Sequence, residues 1–140
     1  VVDCTTSPPT VLRPGAISIE ALRDEIGEVT AGEDESEEAP RSPGTRHRHY
    51  APRASVVLVS APAEVAADSR AAYIGVDAPP AGHAFVRART VDTLDEYAAE
   101  LFHFFREADR EDVDVIYAQV VAEDGLGRAL NDRLRRAAAR

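Results

Sequence analysis

The sequence predicts an α/β fold: a small Rossmann-like three-layer domain with a mostly parallel sheet, preceded by a linker and by the tail of a second α/β unit. Three observations carry this. From Ser55 onward, short and continuously apolar runs such as "SVVLVS" and "VDVIYAQVV" alternate with helical patterns, as expected of parallel strands covered on both faces. Ahead of them stands "VTAGEDESEEAPRSPGTR", dense in acidic residues, proline and glycine and without apolar periodicity, the composition of an exposed connection. The first 28 residues read strand, loop, helix, too little to close a core alone when chains below about 40 residues need extra staples.

Taken in order, "VVD" and "TVLRPGAIS" are short extended segments divided by Pro8 and Pro9. Ser18 then caps a helix, "IEALRDEIG", whose Ile19, Leu22 and Ile26 share one face and whose Gly27 stops it. By pattern, residues 1–28 read as a strand-loop-helix fragment, Val29 to Arg46 as an exposed linker and Ser55 onward as the Rossmann-like domain. Glu33, Asp34, Glu35, Glu37 and Glu38 make a near-continuous acidic run in the linker, without the central glycine and ligand spacing of a calcium loop. Beyond it, "SVVLVS" reads as a strand, "PAEVAADSRAAY" as an alanine-rich helix, and "YIGVDA" and "AFVRART" as strands. "TVDTLDEYAAELFHFFREADRE" is a long helix capped by Thr90 or Thr93, "VDVIYAQVV" a further strand, and "GLGRALNDRLRRAAA" a closing amphipathic helix.

Composition narrows the function. In 140 residues, 44% are hydrophobic, enough for a core, while a net charge of -9 and a pI near 4.9 oppose broad binding to a phosphate backbone. No direct DNA binding is expected. Cys4 is the one cysteine, so no internal disulfide points to an oxidising compartment. No apolar run approaches the roughly 20 residues of a membrane span, and the expected location is cytoplasmic. The chain holds no methionine, even at residue 1, and reads as a piece of something longer. Its basic residues are all arginine, which with the acidic excess fits a GC-rich source and a high-salt cytoplasm; codon bias alone gives the same arginine preference.

Against that acidic background, "GTRHRHYAPRA" concentrates three arginines, two histidines and a tyrosine between Gly44 and Ala54. Arg13 sits in "LRPG", where Pro14 fixes the backbone and Gly15 permits close approach. The two elements together suggest a local anion clamp, with Arg13 offering a bidentate contact to phosphate and Arg46, Arg48, His49 and Tyr50 folding back toward it. Other features carry less. "GLG" before the last helix falls short of a phosphate-loop pattern and reads as a tight turn. His47 and His49 form a HxH pair with no third ligand, since Cys4, His83 and His103 are scattered, so no metal site is expected. His103, among Phe102, Phe104 and Phe105, reads as a helix histidine partly packed on aromatics, and no motif supports a nucleophile.

Taken together, "VVD", "LRPGAIS", "SPGTRHRHYAPRA" and "GLGRALNDRLRRAA", in that order, resemble the C-terminal half of the long-form L-threonylcarbamoyladenylate synthases. The resemblance implies a YrdC-like catalytic domain ending in residues 1–28, an interdomain linker over 29–54 with a PGxxxRHYAP core, and a smaller Rossmann-like domain over 55–140. It implies an enzyme that condenses L-threonine, bicarbonate and ATP to threonylcarbamoyl-AMP and pyrophosphate, for tRNA threonylcarbamoyladenosine modification. ATP enters as substrate, with Mg2+, and no tightly bound cofactor is implied. Carried over by position, Arg13 and Tyr50 contact the ATP or adenylate, Arg48 and His49 are further linker contacts, and the linker acts as a lid. Thr45, Arg46 and His47 stand where the family usually has methionine, lysine and tyrosine. The lysine-arginine motif and most of the threonine and ATP pocket belong to an N-terminal YrdC-like domain that this chain lacks, so the chain alone is expected to be inactive. Two other readings stand beside this one: a non-catalytic nucleotide-binding or regulatory module acting on a separate catalytic subunit, and an unrelated small Rossmann-like nucleotide binder.

Overall fold

The structure, a computed structural model, describes residues 1–32, 51–66, 70–79 and 81–139. The first unit is a small sheet crossed by one helix. Strand β1 (Val2–Asp3) pairs antiparallel with β2 (Thr10–Val11), which pairs parallel with β3 (Thr30–Ala31). Helix α1 (Ile19–Ile26) starts as expected, the Ser18 hydroxyl accepting the Ala21 N–H, and ends where Gly27 enters positive φ and donates to Arg23 O. Val11, Ile19 and Val29 form its buried cluster.

Val29 corrects the sequence reading, which placed it at the start of the exposed linker. It is 2% exposed, Arg23 donates twice to its carbonyl, and Thr30 and Ala31 continue the sheet. One apolar residue among polar ones gives no periodicity to read. Its burial is decided by Val11 and Ile19, whose apolar surface it covers.

In the larger unit, β4 (Ser55–Val59), β5 (Ala71–Gly75), β6 (Arg87–Thr90) and β7 (Val115–Gln119) form an all-parallel sheet in the order β4-β7-β5-β6. Ile116 of β7 lies opposite Val56 on one side and Ala72 on the other. One face of the sheet, bearing Val56, Ala72, Ile74, Ile116 and Ala118, packs on both long helices, α2 (Leu94–Arg110) and α3 (Gly125–Ala138), through Tyr97, Leu101, Phe104, Phe105, Leu130 and Leu134. The opposite face, with Val59, Ala71, Tyr73 and Tyr117, is covered by Val65 and Phe85 from connecting segments. The parallel sheet is the one expected, and its second layer of cover comes from those segments.

Among the described residues of 62–73 the expected helix does not form. A single 3-10 turn at Pro62–Glu64 replaces its start, Val65 is extended, and Ala71 to Tyr73 belong to β5. Alanine favours a helix by local propensity, but Ala71 and Ala72 are completely enclosed, at 1% and 0% exposure, and pairing with β7 overrides that preference. The "AFVRART" strand contracts to β6. At the start of α2 the cap is Thr93, whose hydroxyl accepts the Glu96 N–H at 3.1 Å while Glu96 Oε2 accepts from Asp92 N at 2.9 Å. Among the described residues no helix is long and apolar enough to cross a membrane.

Candidate functional site

Arg13 lies two residues beyond the end of β2. The backbone N–H groups of Leu12 and Arg13 donate to Val1 O at 2.9 and 3.3 Å, and Pro14 then turns the chain toward α1. The half-buried Arg13 lines a cleft of about 250 Å³ whose walls include Val2, Val11, Ile17, Ile19 and Leu22. Gly125 and Arg128, at the start of α3, line the same cleft from the other unit. Two guanidinium groups beside apolar walls suit an anion, because charge acts more strongly where water is displaced. A Cβ at Gly15 would meet no protein atom within 4 Å, so no protein contact requires the glycine.

Gly32 does meet a close contact. Its N–H donates to Val11 O at 2.9 Å, and a Cβ would lie 2.8 Å from that oxygen. Tyr50, Arg48 and His49, with Arg46 and His47, lie outside the described residues. Of the predicted ligands, Arg13 alone is placed. Downstream, Arg53 N donates to Asp109 Oδ1 at 2.9 Å, its guanidinium bonds Asp109 O and lies 3.7 Å from Asp112 Oδ1, and Ser55 N donates to Asp114 O. One arginine of the cationic stretch therefore anchors the entry to β4 on the end of α2.

The "GLGRALN" segment is a packing device, as the tight-turn reading held. A Cβ at Gly127 would sit 2.1 Å from Ala122 O, so glycine is required where α3 crosses the preceding loop. Asn131, 1% exposed, accepts from Val121 N at 3.1 Å and donates to Val121 O at 2.8 Å and Glu123 Oε1 at 2.9 Å. Arg135 bonds the same carboxylate. The signal for Asn131 was in the sequence: Gly127, Asn131 and Leu134 share one helix face, which puts an amide on the core-facing stripe. Arg128 Nη2 donates to Glu123 O at 3.1 Å and lies 3.5 Å from Glu20 Oε1 on α1, a residue that the sequence reading did not single out.

At the carboxyl end of the large sheet, where parallel α/β folds commonly bind ligands, this protein places its own side chains. Gln119 Oε1 accepts from Val76 N and Asp77 N, each at 3.0 Å, and Gln119 Nε2 donates to Asp77 Oδ2 at 2.6 Å. The Tyr73 hydroxyl donates to Asp77 O and Gln119 Oε1, and a Cβ at Gly75 would lie 2.5 Å from both Gln119 Oε1 and the Tyr73 oxygen. Burial, with a smaller contribution from the Asp77 charge, pushes the Tyr73 phenol up to about 12; burial also raises that of Tyr97. Backbone donors that could hold a phosphate are thus taken by an amide. Among the described residues no three His, Cys, Asp or Glu side chains could hold a metal ion. His103 is exposed on α2, not partly packed on its aromatic neighbours as expected, because the helix turns Phe104 and Phe105 to the sheet instead.

Comparison with known proteins places the chain in a family. Residues 17–139 match the family described as "Threonylcarbamoyl-AMP synthase, C-terminal domain". The chain is 35% identical over 153 residues to a threonylcarbamoyl-AMP synthase of Pyrococcus abyssi, covering 98% of this chain and 44% of that protein. It is 30% identical to one of Bacillus subtilis, covering 99% and 44%. Among solved structures, P. abyssi Sua5 complexed with L-threonine superposes with a TM-score of 0.76 at 32% identity, over 99% of this chain and 44% of that one. A Sua5 variant from the same organism, with a histidine and the tyrosine after it both replaced by alanine, superposes with a TM-score of 0.78 at 30% identity. The chain spans less than half the length of the curated relatives that it matches.

Proposed function

Since the chain belongs to the threonylcarbamoyl-AMP synthase C-terminal-domain family, we propose that it serves as the C-terminal part of an enzyme joining L-threonine, bicarbonate and ATP into threonylcarbamoyl-AMP, pyrophosphate and water. The product would supply tRNA threonylcarbamoyladenosine modification in the cytoplasm. The observation that carries the proposal is coverage. The family match begins at residue 17, yet the P. abyssi relative aligns with 98% of the chain, so the likeness runs on through Arg13. A separate regulatory module would not need that preceding segment.

In this reading a threonine carbamate oxygen attacks the α-phosphorus of ATP and pyrophosphate leaves. Arg13 holds the polyphosphate by charge-assisted hydrogen bonds and offsets the charge that builds on the leaving group. Tyr50, with Arg48 and His49, covers the nucleotide from the linker. Two facts support this assignment: Gly32 starts the linker beside β2, and His49–Tyr50 is the one His-Tyr pair in the chain, the dipeptide type altered in the Sua5 variant. Mg2+ would arrive with the nucleotide. The described residues do not by themselves provide a site for it, so no step is assigned to it.

The test is threonine-dependent release of pyrophosphate from ATP in the presence of bicarbonate. The longer enzyme should release it, and the 140-residue chain alone should not, because positioning by the absent catalytic part supplies much of the barrier reduction. Threonine-dependent release by the isolated chain would refute this division of labour.

A further inference from the structure

Resting on the reading of Arg13 as a nucleotide ligand, we propose that Arg128 is a positioning residue for that ligand, acting through Glu20 and the first turn of α1. The two units have separate apolar cores, so polar contacts at their joint have a large say in how they meet. Arg128 Nη2 spans that joint, 3.1 Å from Glu123 O on one side and 3.5 Å from Glu20 Oε1 on the other. Its base is rigid. Asn131 and Arg135 hold the Glu123 carboxylate, and Asn131 also brackets the backbone of Val121.

On the far side, Glu20 is the second residue of α1, and the helix start is continuous with the Arg13–Pro14–Gly15 turn through the Ser18 cap. Pro14 makes that connection stiff, so a displacement of the helix start moves the base of Arg13. Glu20 is ionised near neutral pH: its backbone N–H holds the carboxyl below the usual range, slight desolvation opposes this, and Ser18, Arg128 and Arg23 add to the lowering. Arg128 and Arg13 also line one cleft, which makes a direct phosphate contact by Arg128 the competing assignment to be distinguished.

The experiment measures kcat and the ATP KM of the longer enzyme for Arg128→Ala, Glu20→Ala and the two substitutions together, with Tm recorded for each. Each single variant should raise the ATP KM about two- to threefold with kcat unchanged, the scale of an exposed ion pair. The double variant should raise KM no further than either single one, and the difference should shrink above roughly 0.15 M salt as screening shortens to about 8 Å. Glu20→Gln repeats the test with the least structural change. An increased KM in Arg128→Ala but not in Glu20→Ala would make Arg128 a direct ligand and overturn the proposal, as would single effects that simply add in the double variant. Arg13→Ala separates the two levels: if it leaves the ATP KM unchanged, the reading of Arg13 fails; if it raises KM while Arg128 and Glu20 variants do not, only the positioning role fails.

Discussion

Arg13 and Tyr73 show how much of a residue's role rests on its surroundings. Arg13 stands just past β2 and lines an apolar-walled cleft; on its proposed role as an ATP ligand, Arg13→Ala in the longer enzyme should weaken ATP binding by about 1.5–3 kcal/mol, the scale of a charge-assisted bidentate contact. Arg13→Lys should recover part of it, since an ammonium lacks the planar fork; ATP titration of the three forms gives the order. Tyr73 predicts an alkaline transition. Its phenol is raised from 10.0 to about 12 in the fold, so the folded state holds the proton more tightly than the unfolded one. That stabilisation is complete below pH 10 and is lost progressively as pH rises from 10 to about 12. Denaturant midpoints should fall across this window, and phenolate absorbance should appear with unfolding. Tyr73→Phe should remove that share of the slope.

Among the elements, α3 depends on a polar device more than on propensity. Asn131 joins it to the loop that leaves β7, satisfying both the N–H and the carbonyl of Val121. Asn131→Ala should therefore destabilise the large unit by about 2–4 kcal/mol, since the N–H and carbonyl of Val121 lose their partners and, being only partly buried, cost less than the full 1–3 kcal/mol each. Asn131→Leu should not rescue it, because the lost contacts are hydrogen bonds; chemical denaturation of the two variants decides this. Where α2 begins, a threonine cap was legible because capping is a local arrangement of neighbouring residues, and the structure chose Thr93 over Thr90 and added Glu96 to it. The segment at 62–73 was misread for the converse reason. Its local preference is helical, and the competing interaction is the pairing of Ala71 to Ile74 with β7, more than forty residues downstream.

For the whole molecule, two cores of unequal size imply unequal independence. The larger unit buries Tyr97, Leu101, Ile116, Leu130 and Leu134 in one cluster, whereas among the described residues the smaller buries Val11, Ile19 and Val29, with Val2 and Leu22 packed against them. A fragment of residues 51–140 should unfold cooperatively on heating, while a peptide of residues 1–32 should show no cooperative transition, being below the roughly 40 residues at which a domain sustains itself. Circular dichroism on both checks this. Non-cooperative melting of the longer fragment would mean that the larger core needs the first unit.

The sequence by itself determined the apolar strands β4 and β7, the bounds of α1 and α3, the capped start of α2, the parallel class of the main sheet and the family likeness carried by the RPG, RHYAP and GLG motifs. Each of these is written in neighbouring residues or in an ordered set of short motifs. Tertiary structure alone decided that Val29 is core, that Ala71 and Ala72 are strand, that Gln119 fills the carboxyl end of the sheet, and that Arg128 reaches Glu20 across 108 positions. These depend on partners far away in the chain, and the energy that selects them, burial of apolar surface and pairing of buried polar groups, exists only once those partners have come together.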